Sequence, residues 1–411
     1  MQNSNPKITV YLSKPGFVSA AGDSKNPLDF IKNLASGNQD GIKKVDCGLV
    51  GEEGVKSFYV GKIPDEKLCP TGDKFDMRVL QILNFALSEI NEVVQKALSL
   101  YGKERVGVCI GSCDNGSYLS FRGHKSFFET GAFPQDYDLK IQGADYPATF
   151  TSEKFGARGI SLAFSTACSS SASAIIKAKE LIEAGLCDAV IAGGVDVVSD
   201  TVLLGFDSLE AISHEKTNPF SKNRSGINLG EGAGVFLLSK DDLDNTGIVL
   251  AGCGESSDAS HMTAPLADGS GAEQAMRAAL GNAGLQAEDI DYINLHGTGT
   301  HLNDSMEGKG VELVFGKRKV PCSSTKPLTG HTLGAAGSLE LAACFYAIKE
   351  QLLPCHLWDG VRDEEIPELN LVEKNACGTG SAASEKRISC CMSNSFAFGG
   401  CNASLIIRGN K

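Results

Sequence analysis

Residues 160–185 read ISLAFSTACSSSASAIIKAKELIEAG. Ile160–Phe164 is a short apolar run of strand length. From Ser169 to Ala184, small or apolar residues recur at Ala172, Ile175, Ile176, Ala178 and Ile182, with Lys177, Lys179, Glu180 and Glu183 between them. That spacing predicts a helix with one buried stripe. A strand turning directly into a helix is the unit of an α/β fold. The turn carries Cys168 among small neighbours. A helix N-terminus holds about half a positive charge and free N–H groups, which favour a thiolate and a developing oxyanion. Cys168 is therefore the first candidate nucleophile.

Working outward, more strand-like runs lead into glycine-bearing turns: Val106–Ile110, Ala189–Ala192, Val235–Leu238, Ile290–Leu295, Ile388–Met392 and Ala403–Ile407. Helices are predicted over Ala272–Ala283, Gly337–Glu350 and a long Met77–Leu98, broken near its middle. The stretch TGHTLGAAGSLELAACFYAIKE at 329–350 rhymes with the cysteine region: a reactive side chain, then a helix of small residues. Two copies of one α/β unit are predicted, dividing near residue 250. Residues 1–250 carry Cys168; residues 251–411 carry His296, Lys326, His331 and a final glycine-rich loop.

The formal net charge of −12 argues against a nucleic-acid binder, which needs a dominant basic face. The 14 cysteines include no CxxC pair, and no basic-then-apolar leader opens the chain, so a reducing cytosol is expected. No apolar run approaches the ~20 residues of a membrane span. The seven histidines lack metal-ligand spacing, so no metal is expected. No Walker loop exists, and LGEGAG at 229–234 precedes a strand rather than a helix, a poor phosphate cradle.

Three further groups carry chemistry. His296 ends the strand Ile290–Leu295, in the position where α/β folds gather active groups, and Thr298 and Thr300 follow to hold a polar ligand arm. Lys326 precedes His331 by 331 − 326 = 5 residues in a turn-forming loop. A lysine there is poorly solvated and needs an acid, with Asp304 and Glu307 the candidates. Two neutral imidazoles can donate to a thioester oxygen and stabilise an enolate, while a thiolate holds an acyl group.

The motifs STACSSS, HGTGTHLND with Glu307, STKPLTGHTLGAAGS and SNSFAFGGCNASL resemble, in order, the four signature regions of the β-ketoacyl synthases. The resemblance covers nearly the whole chain from about residue 100. It implies the thiolase fold, with duplicated α/β halves in a five-layered αβαβα sandwich. It implies decarboxylative condensation of an acyl group on Cys168 with a malonyl thioester. The substrates ride on the phosphopantetheine of an acyl carrier protein, and no cofactor of the enzyme's own is implied. His296 and His331 resemble the decarboxylation histidines, and Lys326 the lysine paired with the acid matching Glu307. Thr298 and Thr300 resemble the pantetheine-holding threonines. Phe398 resembles the gating phenylalanine whose N–H joins that of Cys168 in the oxyanion hole, with Phe396 beside it.

Departures are visible as well. The gate reads FAFGG where the family usually has FGFGG, so Ala397 predicts a stiffer loop. The serines after Cys168 are more usual in polyketide-type members. A chain-length factor, the inactive partner in some such pathways, would lack Cys168. A thiolase or initiating-type synthase would use Cys-His-Cys or Cys-His-Asn, for which Cys391 and Asn394 are the nearest candidates. The resemblance also implies a homodimer or ketosynthase heterodimer, with Ile110 and Phe206 along the acyl pocket. An acidic carrier needs a local basic patch. Lys74 and Arg78, read as one helix face, and Arg122 and Lys125, in a polar RGHK loop, are the expected docking cations.

Overall fold

The computed structural model describes residues 8–48, 54–72, 76–113, 116–316, 318–374 and 387–409. The continuous path of the main sheet is built from β1 (Tyr11–Leu12), β2 (Val106–Gly111), β3 (Ser161–Phe164), β4 (Ala189–Asp196), β5 (Gly232–Ser239), β6 (Ile248–Ser257), β7 (Tyr292–Asn294), β8 (Pro321–Ser323), β9 (Asn370–Leu371), β10 (Cys390–Phe396) and β11 (Cys401–Gly409), with two short strands, Gly16–Ser19 and Gly22–Asp23, branching from β5. The principal helices are α1 (Arg78–Glu89), α2 (Asn91–Tyr101), α3 (Ser117–Thr130), α4 (Tyr146–Phe155), α5 (Ser170–Glu183), α6 (Asp200–Ser208), α7 (Ser270–Ala283), α8 (His301–Phe315) and α9 (Ala336–Glu350). The break predicted inside Met77–Leu98 falls at Ile90, between α1 and α2.

The sheet runs β9-β8-β7-β10-β11-β6-β1-β5-β4-β2-β3. Approached from either end, the same pattern appears. Strands β3, β2 and β4 are parallel and β5 antiparallel; β8, β7 and β10 are parallel and β11 antiparallel. The short β1 joins the halves by pairing with both β5 and β6. Every residue of β2 and β4 is buried, as expected of parallel strands covered on both faces.

Those covers make five layers. Helices α1, α2 and α4 lie outside the N-terminal half-sheet, α7 and α8 outside the C-terminal one, and α5 and α9 are sandwiched between the two. The inner helices cross on small residues. A Cβ at Gly337 would sit 3.0 Å from the Ala172 Cβ, so the approach depends on having none there. This is the thiolase fold. It places the N-termini of both inner helices, one bearing Cys168 and the other following His331, at the centre of the molecule.

Candidate active site

The serines that follow Cys168 fasten its turn. Ala167 takes a left-handed backbone (φ 50°), and a single 3-10 turn, Ala167–Ser169, leads into α5. Ser170 Oγ donates to the Ala167 carbonyl at 2.6 Å and accepts from the Thr166 N–H at 2.9 Å; Ser169 Oγ donates to the Thr166 carbonyl at 2.8 Å. Short hydroxyl side chains are suited to such local bonds to backbone. The thiol is thereby held at the mouth of the helix, facing a cavity of about 270 Å³.

His331 Nε2 lies 3.1 Å from Cys168 Sγ. The His296 and His331 rings meet edge to face with centroids 5.3 Å apart. Thiol and both imidazoles bring their reactive atoms within 4.8 Å of one another, and all three are buried. They are also donors of the kind zinc takes. Burial holds both histidines well below the usual imidazole range, helped by the Lys326 charge, so both rings are neutral. Lys326 Nζ contacts His296 Nδ1 at 3.4 Å. An ammonium can only donate, so Nδ1 accepts and the His296 proton sits on Nε2. His331 Nδ1 has no partner among the described residues, which leaves its tautomer free to change.

Burial dominates at the thiol too. It pushes Cys168 up to about 12, with the Lys326 charge and the Phe398 N–H pulling down and Asp196 and Glu340 adding to the rise. The helix-terminus argument alone predicted the opposite direction. The resting group is a thiol sharing its proton with His331, rather than a standing thiolate.

The acid partner of Lys326 is not Glu307. Lys326 Nζ reaches Glu340 Oε1, on α9, at 2.5 Å, and both groups are buried. Glu307 is occupied otherwise: its two oxygens accept the N–H groups of His296 at 2.8 Å and Gly297 at 2.7 Å. Burial raises it to about 8 against those bonds. Asp304 likewise holds the threonine loop, accepting from Gly299 N and Phe220 N. The signal for Glu340 was present as a lone acid inside the apolar run SLELAACF, nine residues past His331 (340 − 331 = 9).

Thr298, Thr300, Phe206, Phe396 and Phe398 all line the cavity with the three reactive groups. Thr298 and Thr300 share a hydroxyl contact at 2.9 Å, and the Phe206 and Phe398 rings lie 5.9 Å apart. In the gate, Gly399 and Gly400 take the left-handed backbone. Ala397 stays outside that region and donates its N–H to the Cys401 carbonyl. This loop conformation therefore asks nothing of Ala397 that alanine resists. His261, His301 and Leu302 also reach the cavity, which sequence reading missed.

Other expected site residues lie elsewhere. Ile110 is buried in the core shared with α1 and α4, away from the described cavity lining. Cys391 and Asn394 are also core residues; Asn394 bonds Ser404 and Met276. Neither joins the thiol and imidazoles. Arg78 is held within the chain. It grips the fully buried Glu231 through two nitrogens and also meets Asp65 and the Ile63 carbonyl. Lys74 lies outside the described residues. The RGHK segment is helical, within α3, where Arg122 pairs with Asp136 and Lys125 faces Glu129.

The fold and this set of a thiol and two imidazoles define a thiolase-fold acyltransferase. The comparisons with known proteins are specific. The beta-ketoacyl synthase N-terminal domain matches residues 16–243 and the beta-ketoacyl synthase C-terminal domain residues 248–357. The chain belongs to the β-ketoacyl synthase family. It is 39% identical over 374 residues to a nodulation protein E of Rhizobium meliloti strain 1021, covering 88% of each. It is 35% identical over 331 residues to a 3-oxoacyl-[acyl-carrier-protein] synthase 2 of Vibrio cholerae, covering 74% of this chain and 76% of the other. A ketosynthase of Xenorhabdus doucetiae, solved in complex with its chain length factor, superposes with a TM-score of 0.88 at 36% identity, covering 99% of this chain and all of that one.

Proposed function

We propose that the chain extends an acyl group on Cys168 by decarboxylative condensation with a malonyl group carried on acyl carrier protein. The observation that carries this reading is the buried cluster of Cys168 Sγ and two neutral imidazoles on one cavity. As sulfur attacks the acyl thioester, its proton passes to His331 Nε2 and leaves with the pantetheine thiol. A malonyl thioester then enters. Nε2–H groups of His296 and His331 donate to its carbonyl oxygen while the bond to the carboxylate breaks, releasing carbon dioxide and leaving an enolate. The enolate carbon attacks the acyl-cysteine carbonyl, whose oxyanion is met by the N–H groups of Cys168 and Phe398. Cys168 leaves and regains a proton, and the β-ketoacyl group departs on its carrier. Lys326 and Glu340 position His296, and Thr298 and Thr300 hold the pantetheine arm. Detection of β-ketoacyl product from acyl- and malonyl-carrier thioesters tests the reading; carbon dioxide without product would contradict it.

The two family domains, meeting between residues 243 and 248, support a division into halves 1–250 and 251–411. No disulfide is found among the described cysteines, which supports a reducing, cytosolic site of action; no described helix is long and apolar enough to cross a membrane.

The chain is read as one half of a two-fold pair, with a copy of itself or a related synthase-type chain. Two surfaces support this. β3 is the terminal strand of the sheet, with its far edge open to another strand. Beside α3 an aromatic face is exposed: Phe121, Phe127, Phe133 and Phe128, the last 83% accessible. The complex of the Xenorhabdus doucetiae ketosynthase with its chain length factor is consistent with this. Sedimentation of an active preparation is expected to give the mass of two chains; an active single chain would contradict it.

Carrier docking is assigned to Arg122 and Lys125, which share the exposed side of α3. Both have acidic neighbours, so the patch is modest, and exposed charges act mostly on association. The joint Arg122→Glu and Lys125→Glu variant is expected to raise the apparent KM for the carrier thioester several-fold and to spare turnover of a free pantetheine thioester. Equal loss with both substrates would contradict docking here.

A further inference from the structure

The chain builds two elbows of one shape. Ser165-Thr166-Ala167-Cys168 leads towards α5, and His331-Thr332-Leu333-Gly334 leads towards α9. Ala167 (φ 50°) and Leu333 (φ 49°) both hold left-handed backbone although neither is glycine. Such strain persists only where the surroundings enforce it. Each begins a single 3-10 turn, Ala167–Ser169 and Leu333–Ala335. In this register Gly334 stands where Cys168 stands. Each elbow also receives a group from the far half. The Phe398 N–H, beyond the end of β10, reaches Cys168. Asp196, the last residue of β4, accepts the Gly334 N–H at 2.6 Å.

Asp196 is fully buried. It also accepts from Ser112 Oγ at 3.0 Å and from the Cys113 N–H at 2.9 and 3.0 Å, just past the end of β2. Three donors thus converge on its two oxygens. The carboxylate therefore ties the ends of β2 and β4 to the second elbow. The fit is close: a Cβ on Gly334 would lie 2.7 Å from Asp196 Oδ2 and 3.1 Å from Cys113 Sγ.

We propose that Asp196 is a positioning residue for the decarboxylation step: by anchoring Gly334 it holds His331, three residues earlier, against Cys168. The inference rests on the role given above to His331. Nothing requires Asp196 to touch substrate; it acts through the elbow.

The test measures carbon dioxide release from a malonyl-carrier thioester and S-acylation of Cys168 on the same preparation, with release expressed per acylatable thiol. Asp196→Ala is expected to lower release per site ~10-fold, the scale of a sub-ångström misplacement, and acylation by clearly less, because acylation needs His331 only as a proton acceptor 3.1 Å from the thiol whereas release needs its Nε2–H on the malonyl oxygen. A variant that had merely lost folded protein would show no such split. Asp196→Asn still offers an oxygen to Gly334, and the Ser112 hydroxyl can turn to accept from the amide, but that amide also faces the Cys113 N–H, so the variant is expected to recover part of the loss. Gly334→Ala pushes the elbow away with the carboxylate intact and should reproduce the split, which keeps the test alive if Asp196→Ala fails to fold. Equal losses in both half-reactions, undiminished release per site, or an asparagine variant as impaired as alanine would overturn the proposal. His331→Ala is the control. If it retains release, the role of His331 falls and the proposal with it; if it loses release while Asp196→Ala does not, the proposal alone falls.

Discussion

Replacing either His296 or His331 with alanine is expected to cut carbon dioxide release from malonyl-carrier thioester by ~10²–10³, the usual cost of removing one oxyanion donor. Acylation of Cys168 should survive in part, because the first half-reaction uses the helix N-terminus and the Phe398 N–H as well. The basis is a fixed donor geometry. Lys326 contacts His296 Nδ1 at 3.4 Å, so the ring presents Nε2–H to the cavity. Burial holds both histidines well below the ordinary range. For a base, a lowered pKa means that the neutral form persists to lower pH. Both rings should therefore stay neutral through the ~6.5 at which a solvated histidine titrates, and any change in wild-type release near neutral pH, followed with a free pantetheine thioester, is assigned to Glu340 and Glu307, which burial raises to about 7 and about 8. Wild-type release from His331→Ala would contradict the assignment.

The second large effect concerns the buried pair of Lys326 and Glu340. Lys326 is 1% exposed and Glu340 is 3% exposed. Removing one member of such a pair strands the other charge in a dry interior and costs about 3–5 kcal/mol. Lys326→Met is expected to show that loss as a lower chemical-denaturation midpoint. Glu340 offsets part of it by protonating, since burial already raises it to about 7. Lys326→Met combined with Glu340→Leu should recover stability, because apolar replacement of both partners removes the stranded charge. It should not recover carbon dioxide release, because His296 Nδ1 then has no donor to fix its tautomer. A stable double variant with wild-type release would show that the pair is structural only.

The chemistry was legible in the sequence because it is local. Cys168 and His331 each lie beside a run of small residues that can only be an inner helix, and HGTGT needs its glycines to turn beneath a ligand. The partner of Lys326 was not legible. Glu307 and Glu340 are both acids close in sequence to a histidine loop, and only the folded loop reveals that the His296 and Gly297 N–H groups already occupy Glu307. Arg78 misled for a related reason. Its i, i+4 relation to Lys74 suggested a solvated face, but a buried carboxylate 153 residues away claims it. Resemblance alone places Ile110 on the acyl pocket; it lies in β2, a strand buried throughout, and packs in the core instead.

Most direct is the site of the covalent intermediate. After incubation with an acyl-carrier thioester and digestion, peptide mass spectrometry should find the acyl mass shift on the peptide containing Cys168, and Cys168→Ser should remove it. An adduct on another cysteine with Cys168 unmodified, or condensation that proceeds with no acylated Cys168, would contradict the assignment of this residue as the nucleophile.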